Sequence, residues 1–283
     1  MKKSRLAPLW SAVLIFLAAE ALTVYTAFRE KDFVEVNQIE SPQYTLAYPV
    51  VYFFDVVSVM GAILFLIPVS KLRLVLKAMF AFLFAWGTFV VLGLSLPFYV
   101  AISVAAVAGL FWLFKPKVWL HNLLMILALV SAGTVFGFVL SPWAAMGSML
   151  VLSIYDFLAV RFGYMLWMAR KLSESDTLPV FLIPARFSAW KMHMRANQAF
   201  TTATGEREFS ILGGGDIGFP LLLMVSVFFG YGTGNALIVA GFAVIGLISA
   251  YLIQIYLLKG KPMPALPPIT FWSLIGFLIV YFR

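Results

Sequence analysis

A glycine-rich run that carries a single carboxyl is the most informative part of the sequence: Leu212-Gly213-Gly214-Gly215-Asp216-Ile217-Gly218-Phe219-Pro220. It lies at the start of a long apolar segment. The glycines remove side chains and loosen a helix, which lets another backbone approach the carboxyl closely. An aspartate inside a membrane span is costly and usually marks a functional pathway or a paired polar contact. The run predicts a transmembrane helix with a functional carboxyl; a packing seam of small residues is the alternative.

The composition extends this prediction to the whole chain. Of 283 residues, 63% are hydrophobic and 11% are charged, whereas soluble domains carry roughly 25% charged residues. Apolar stretches of about 18 to 25 residues recur, each long enough to cross a hydrocarbon core of about 30 Å. The first is too long for a signal peptide and predicts a retained helix. The sequence predicts nine spans, near 7–28, 48–69, 74–95, 97–114, 118–140, 142–166, 209–230, 233–257 and 264–282.

The spans form one all-α membrane domain in three parts. Residues 1–166 hold six helices, residues 167–208 form a cytoplasmic loop, and residues 209–283 hold three helices. Residues 29–47 are predicted to be a short irregular loop or hairpin outside the membrane. Inside the cytoplasmic loop, Leu178–Pro184 is an apolar island too short to span. It is either an interfacial or re-entrant piece, a gate, or an amphipathic loop on the cytoplasmic interface.

The basic residues sort by loop and predict the orientation. One side has only Arg29, Lys31 and Arg283. By the positive-inside rule the richer side is cytoplasmic, so the N-terminus is inside and the C-terminus outside. That side collects Lys2, Lys3, Arg5, Lys71, Arg73, Lys77, Lys115, Lys117, Arg161, Arg170, Lys171, Arg186, Lys191, Arg195, Arg207, Lys259 and Lys261.

Several kinds of chemistry lack support. The net charge of +8 follows from the membrane orientation, so it does not indicate a nucleic-acid partner. With no cysteine there is no disulfide, thiol nucleophile or Cys-based metal site. The only histidines, His121 and His193, lie in different loops or span ends, so neither a metal site nor a Ser-His triad is expected. We expect no metal and no cofactor.

Four acids lie inside predicted spans: Glu20, Asp55, Asp156 and Asp216. Glu20 and Asp55 stand in ordinary apolar runs, where an interhelical hydrogen bond or a water-exposed position accounts for them. Span six is predicted to run inwards, which puts Asp156 roughly 8 to 17 Å from its cytoplasmic end. Span seven starts inside near Phe209, which puts Asp216 roughly 10 Å from its own cytoplasmic end. Two antiparallel neighbours thus bring their carboxyls to similar depth.

Two carboxyls facing each other at that depth cannot both ionise cheaply, so they share a proton. An aspartyl protease needs this state. The ionised member takes a proton from water, the water attacks the scissile carbonyl, and the protonated member donates to the carbonyl oxygen. Tyr155-Asp156 and Gly-x-Gly-Asp are weak signals when taken singly.

A third element precedes the last span: Lys261-Pro262-Met263-Pro264-Ala265-Leu266-Pro267-Pro268. Its prolines keep the backbone extended, so its unpaired amides and carbonyls need protein or a water cavity around them. Such a segment is suited to pairing with an extended substrate strand. A proline-rich helix start is the alternative.

Tyr-Asp in one span, Gly-x-Gly-Asp in the next and Pro-Ala-Leu at the last span, in this order over nine spans, resemble the presenilin and signal peptide peptidase family of intramembrane aspartyl proteases. The resemblance implies catalytic roles for Asp156 and Asp216. It implies that Pro264, Ala265 and Leu266 shape the active site, which Tyr155, Gly213, Gly214 and Gly215 adjoin. The compact chain resembles an archaeal presenilin homologue working without partner subunits.

The resemblance also implies a multi-pass protein of the cell membrane whose partners are transmembrane peptides or proteins and the lipid bilayer; self-association into a homo-oligomer is left open. Gly214 departs from the bulky residue usual at that motif position, so substrate preference is not carried over. A prepilin-type peptidase also uses Gly-x-Gly-Asp, but it cuts near the membrane surface and does not account for Pro-Ala-Leu. An ion or proton pathway through the intramembrane carboxylates is the alternative from another class.

Overall fold

A computed structural model describes all residues except 1–6, 41–46, 165–166, 169–171, 173–176, 185–186, 195–208 and 260–262. Part of the predicted cytoplasmic loop lies outside the described residues. So do several residues on which the sequence-based expectations rest: Lys2, Lys3, Arg5, Arg170, Lys171, Arg186, Arg195, Arg207, Lys261 and Pro262.

The described residues contain long helices and one small hairpin. The strands are β1 (Val180–Pro184) and β2 (Phe209–Gly213), with a 3-10 turn at Phe187–Lys191 between them. A π-helical turn, Ile253–Leu257, follows α8. The helices are α1 (Ala7–Val36), α2 (Ala47–Leu66), α3 (Val69–Gly93), α4 (Phe98–Phe114), α5 (Val118–Val139), α6 (Pro142–Arg161), α7 (Gly214–Tyr231), α8 (Thr233–Leu252) and α9 (Leu266–Phe282).

Each predicted span overlaps one of these helices. Six segments, in α1, α3, α5, α6, α7 and α8 with its π turn, are long and apolar enough to cross a membrane, and α4 and α9 are shorter apolar helices. The protein is therefore a multi-pass, helical membrane protein. The count of nine crossings, the orientation and the three-part division stay predictions.

The structure differs from the prediction at the end of α1. Residues 29–36, expected in an irregular loop, continue the helix to Val36. Ion pairs along this exposed turn, Arg29–Asp32 at 3.8 Å and Lys31–Glu35 at 3.7 Å, have the spacing that supports a helix. Loss of hydrophobicity therefore marks where the apolar segment ends, while the helix itself continues.

Two further boundaries shift around the loop before the last three helices. Helix α6 ends at Arg161 instead of near 166, and Gly163 follows with a φ of +74°, a conformation that ends helices and favours glycine. Helix α7 begins at Gly214 instead of near 209, because Phe209–Gly213 is a strand. It pairs antiparallel with β1, with Leu182 opposite Ile211. The apolar island of the sequence is thus a buried strand.

The chain divides into two compact units. The first comprises Met1–Ala12, Phe54–Ala128 and Gly163–Gly214. Its helices α3 and α4 touch closely, since a Cβ on Gly109 would lie 2.7 Å from the Ala81 carbonyl oxygen. Beside them, β1 and β2 join a hydrophobic cluster of Leu64, Leu76, Val118, Leu172, Leu178, Val180, Leu182, Ala189, Met194 and Phe209.

The second unit comprises Val13–Phe53, Leu129–Phe162 and Gly215–Arg283. Here α7 packs on α5, where a Cβ on Gly137 would lie 2.6 Å from Val225. Helix α9 packs on α8 and on α6. At the far end of α6, the ring of Trp143 meets that of Phe277 edge to face at 4.9 Å. Small residues thus let the helices approach closely, as membrane helices need.

Candidate active site

Asp156 lies on α6, just over one turn before the helix ends at Arg161. Its side chain is half-buried. The Leu266 N–H donates a hydrogen bond to Asp156 Oδ2 at 3.4 Å. The structure therefore brings the first predicted catalytic carboxyl to the Pro-Ala-Leu segment at the start of α9.

The chemistry of a helix start explains why this N–H is available. The first N–H groups of a helix have no partner inside it. Leu266 is the first residue of α9, and Pro267 and Pro268 carry no N–H. Leu266 therefore supplies the backbone donor of that turn. Leu266 is buried, and Pro264 and Ala265 are half-buried.

Asp216, the second predicted carboxyl, is half-buried in the first turn of α7. It is therefore nearer its helix start than the sequence predicted, because the strand β2 occupies the preceding residues. Pro220, one turn later, lacks the N–H that would otherwise bond the Asp216 carbonyl. The helix is thus weakened where it carries the carboxyl. Asp156 and Asp216 belong to the same compact unit.

Among the three glycines of the motif, Gly214 has the least room. It is buried, and its N–H donates to the Pro179 carbonyl at 2.9 Å. A Cβ there would lie 2.9 Å from the same oxygen and 2.9 Å from the methyl group of Met125. A Cβ on Gly215 would meet only the ring of Phe219, at 3.2 Å. The middle motif position is therefore glycine because the segment before β1 passes directly over it.

Other sequence-predicted residues take varied positions. Gly213 ends β2, and Tyr155 is half-buried beside Asp156. Glu20 is buried on α1, whereas Asp55 on α2 is exposed. Within the described part of the chain, no group of three or more His, Cys, Asp or Glu residues is arranged to hold a metal ion.

Sequence reasoning missed the structural role of two polar residues at the start of α5, His121 and Asn122. His121 Nε2 lies 2.9 Å from the Val180 carbonyl oxygen. Asn122 makes two bonds to Leu182: its Nδ2 donates to the carbonyl at 2.8 Å, and its Oδ1 accepts from the N–H at 3.0 Å. Both side chains are buried. The available signal was the presence of two adjacent polar residues in an apolar span.

Comparison with known proteins agrees with this architecture. A family model described as signal-peptide peptidase, presenilin aspartyl protease matches residues 11–283. Two structures of a presenilin family intramembrane aspartate protease, in space groups C222 and P2, each share 16% sequence identity with the chain. They cover 97% of this chain and 98% and 97% of the solved chains, with TM-scores of 0.64 and 0.59. The fold is thus presenilin-like. No curated protein sequence matches the chain significantly.

Proposed function

The chain belongs to the signal-peptide peptidase and presenilin family of aspartyl proteases, and we propose that Asp156 and Asp216 form the catalytic pair of this intramembrane protease. The contact between Asp156 and the Leu266 N–H carries the proposal. It joins one motif carboxyl to a second motif that is distant in sequence, within the unit that also holds Asp216.

The reaction needs one proton shared by the pair. The ionised carboxylate removes a proton from water while the water oxygen attacks the carbonyl carbon of the scissile peptide. The protonated carboxyl donates its proton to the carbonyl oxygen, which gives a tetrahedral diol. The diol then loses a proton to one carboxylate as the C–N bond breaks, and the amide nitrogen leaves as an amine after taking a proton from the other carboxyl. The pair ends singly protonated, ready for another turn.

In this proposal, Pro264, Ala265 and Leu266 position the substrate backbone beside the catalytic pair. Prolines on both sides of Leu266 restrict the backbone to few conformations. A substrate helix must unwind before a peptide bond is accessible, and its freed N–H and C=O groups then need partners inside the membrane. Backbone groups of Pro264 to Leu266 supply such partners, although this segment is a helix start and not the extended strand that the sequence predicted: Ala265 has helical φ and ψ of −89° and −25°, and Leu266 begins α9. We also assign roles in shaping the site to Tyr155 and to Gly213, Gly214 and Gly215, which adjoin the two aspartates in sequence.

The substrate class follows from the predicted orientation. With the N-terminus inside, span six runs inwards and span seven returns, which fixes the direction of a substrate across the pair. We infer a preference for single-span substrates of the cell membrane with their N-terminus outside, cut in the cytoplasmic half of the helix. Glycine or other helix-weakening residues near that point should ease cleavage.

A cleavage assay of the purified, reconstituted protein on a transmembrane reporter peptide tests the proposal. Asp156→Asn and Asp216→Asn should each abolish product formation while thermal stability stays close to wild type. If either variant keeps a substantial fraction of activity, the pair is wrongly assigned. Ion or proton flux into the same vesicles, persisting in both variants, would favour a transport function instead.

A further inference from the structure

Strand β1 is fully buried and must therefore satisfy its backbone groups on both sides. All five of its residues are buried. Buried N–H and C=O groups without partners are costly and rare. One side of β1 pairs with β2. In an isolated two-stranded hairpin the other side would face water, and here it faces the start of α5.

The alternation of strand residues shows which groups go where. The Gly214 N–H donates to the Pro179 carbonyl, so the backbone N–H and C=O groups of residues 179, 181 and 183 point towards β2. The backbone groups of Val180 and Leu182 point the opposite way, towards α5. His121 Nε2 bonds the Val180 carbonyl, and the Asn122 amide bonds both the N–H and the C=O of Leu182. The paired contact from Asn122 imitates a neighbouring strand.

The surroundings of His121 fix its ring. The side chain is wholly buried, with the ring of Phe84 at 5.5 Å edge to face and that of Trp112 at 6.1 Å. A carbonyl oxygen only accepts, so Nε2 carries the hydrogen and donates it to Val180. The opposite nitrogen, Nδ1, has no hydrogen-bond partner among the described residues. Two aromatic rings and the bond to the Val180 carbonyl therefore hold the imidazole.

The same end of α5 holds a second stretch of the chain. The Val118 N–H donates to the Met192 carbonyl at 3.1 Å, and the Met194 N–H donates to the Pro116 carbonyl at 2.7 Å. Residues that follow the 3-10 turn are thus tied to the start of α5 and to Pro116 just before it. The start of α5 acts as a fixed support for this part of the loop.

We propose that His121 and Asn122 are positioning residues for the protease reaction: they replace a third strand on β1 and so fix the place where α7 begins. The link is short. β1 holds β2, the segment before β1 binds the Gly214 N–H, and Gly214 is the first residue of the helix that carries Asp216. The inference rests on the proposed function, since it takes Asp216 as catalytic.

Paired variants of each residue separate positioning from folding. His121→Leu and Asn122→Leu remove the hydrogen bonds at similar side-chain size. His121→Gln keeps an N–H near the place of Nε2, and Asn122→Asp keeps the acceptor for the Leu182 N–H but loses the donor. The Val91→Ala variant serves as the matched control, because Val91 is buried on α3 and lies outside the hydrophobic cluster that contains β1 and β2.

Three readouts are compared with wild type in the full-length, reconstituted protein. Both leucine variants should lower kcat at least about tenfold with little change in KM, because a misplaced reacting group affects the chemical step. Their reporter products should spread over more cleavage positions by mass spectrometry. Amide exchange at Leu182 should speed up in Asn122→Leu. His121→Gln should regain most of kcat, and Asn122→Asp should fall between wild type and Asn122→Leu. If a leucine variant does not fold, these two are measured alone.

The outcomes are decisive in either direction. Unchanged product positions, with kcat reduced no more than in Val91→Ala at equal loss of thermal stability, would overturn the positioning role. Unchanged Leu182 exchange in Asn122→Leu, or Asn122→Asp equal to wild type, would also overturn it. Failure of the proposed function is distinguished by another result: activity would survive in Asp156→Asn or Asp216→Asn. The amide-exchange measurement at Leu182 does not depend on activity, so it tests the role of Asn122 in either case.

Discussion

The strand β1 and the first turn of α9 each hydrogen-bond to side chains of a neighbouring helix, yet they are held to different degrees. β1 makes three hydrogen bonds of 2.8 to 3.0 Å with side chains of α5, in addition to its pairing with β2. The link between Asp156 and Leu266 is a single bond of 3.4 Å. One region is built to stay fixed. In the other, the carboxyl keeps most of its hydrogen-bonding capacity for water and substrate.

Variants of the Pro-Ala-Leu segment should show the largest difference between loss of activity and loss of stability. Pro264→Ala and Leu266→Ala should lower cleavage about a hundredfold, because a misplacement of about 1 Å at a reacting group has an effect of that size. Thermal stability should fall far less in Pro264→Ala, because Pro264 is only half-buried. Leu266→Ala also removes a buried side chain, at a cost of about 2–5 kcal/mol, so its rate is compared at equal folded fraction. Initial rates and melting curves of the same preparations measure both. Parallel losses of folding and activity would mean that the segment acts only in folding, and would remove the contrast with β1.

The pH dependence of the rate tests the proposed aspartate pair in another way. Only the singly protonated pair is competent, so kcat/KM should rise and fall as a bell, with losses of about tenfold per pH unit on either flank. A rate that stays flat from acid to alkaline pH, while substrate binding is shown to be unchanged, is incompatible with this mechanism. His121→Leu and Asn122→Leu should lower the bell without moving its flanks, because leucine adds no ionisable group.

A smaller effect is expected from substrate orientation. One reporter span, presented in both directions in reconstituted vesicles, should be cleaved several-fold faster with its N-terminus outside, if one orientation fits a fixed catalytic frame. Mass spectrometry of the products gives the cleavage position in each case. Equal or faster cleavage of the inverted reporter would show that the orientation predicted from the basic loops does not select substrates.

The last expected effect is on stability and concerns the segment before β1. Gly214→Ala drives a Cβ onto the Pro179 carbonyl, so it should destabilise the protein by about 1–3 kcal/mol, the usual range for overpacking. Gly234→Ala is the control, because nothing lies within 4 Å of a Cβ at that position. Melting temperatures of the two variants settle the matter: equal values would mean that the segment before β1 yields easily.

The sequence predicted the long helices for a physical reason, and the catalytic roles of both motif aspartates stay predictions. Apolar runs long enough to span a bilayer leave the backbone no choice except a helix. It missed the extension of α1, since hydropathy drops at Arg29 while ion pairs sustain the helix to Val36. It missed β2, because an apolar run as short as Phe209 to Leu212 suits a strand or a helix equally.

The role of Asn122 was beyond sequence reasoning for a related cause. Its partner, Leu182, is far away along the chain and is recognised through its backbone, which leaves no side-chain pattern. Gly214 shows the same limit. The glycine was visible in the motif, but the carbonyl of Pro179 that requires it appears only once β1 and β2 are paired.

Kinetics of the two single aspartate variants and the double variant test the central claim most directly. When two groups act as one catalytic unit, removing either one lowers the rate about as much as removing both. We therefore expect Asp156→Asn, Asp216→Asn and the double variant to show the same residual kcat/KM, at or near the background rate, with melting temperatures close to wild type. Independent, multiplicative losses, or a single variant that keeps more than about a hundredth of the activity, would contradict catalysis by a shared-proton pair.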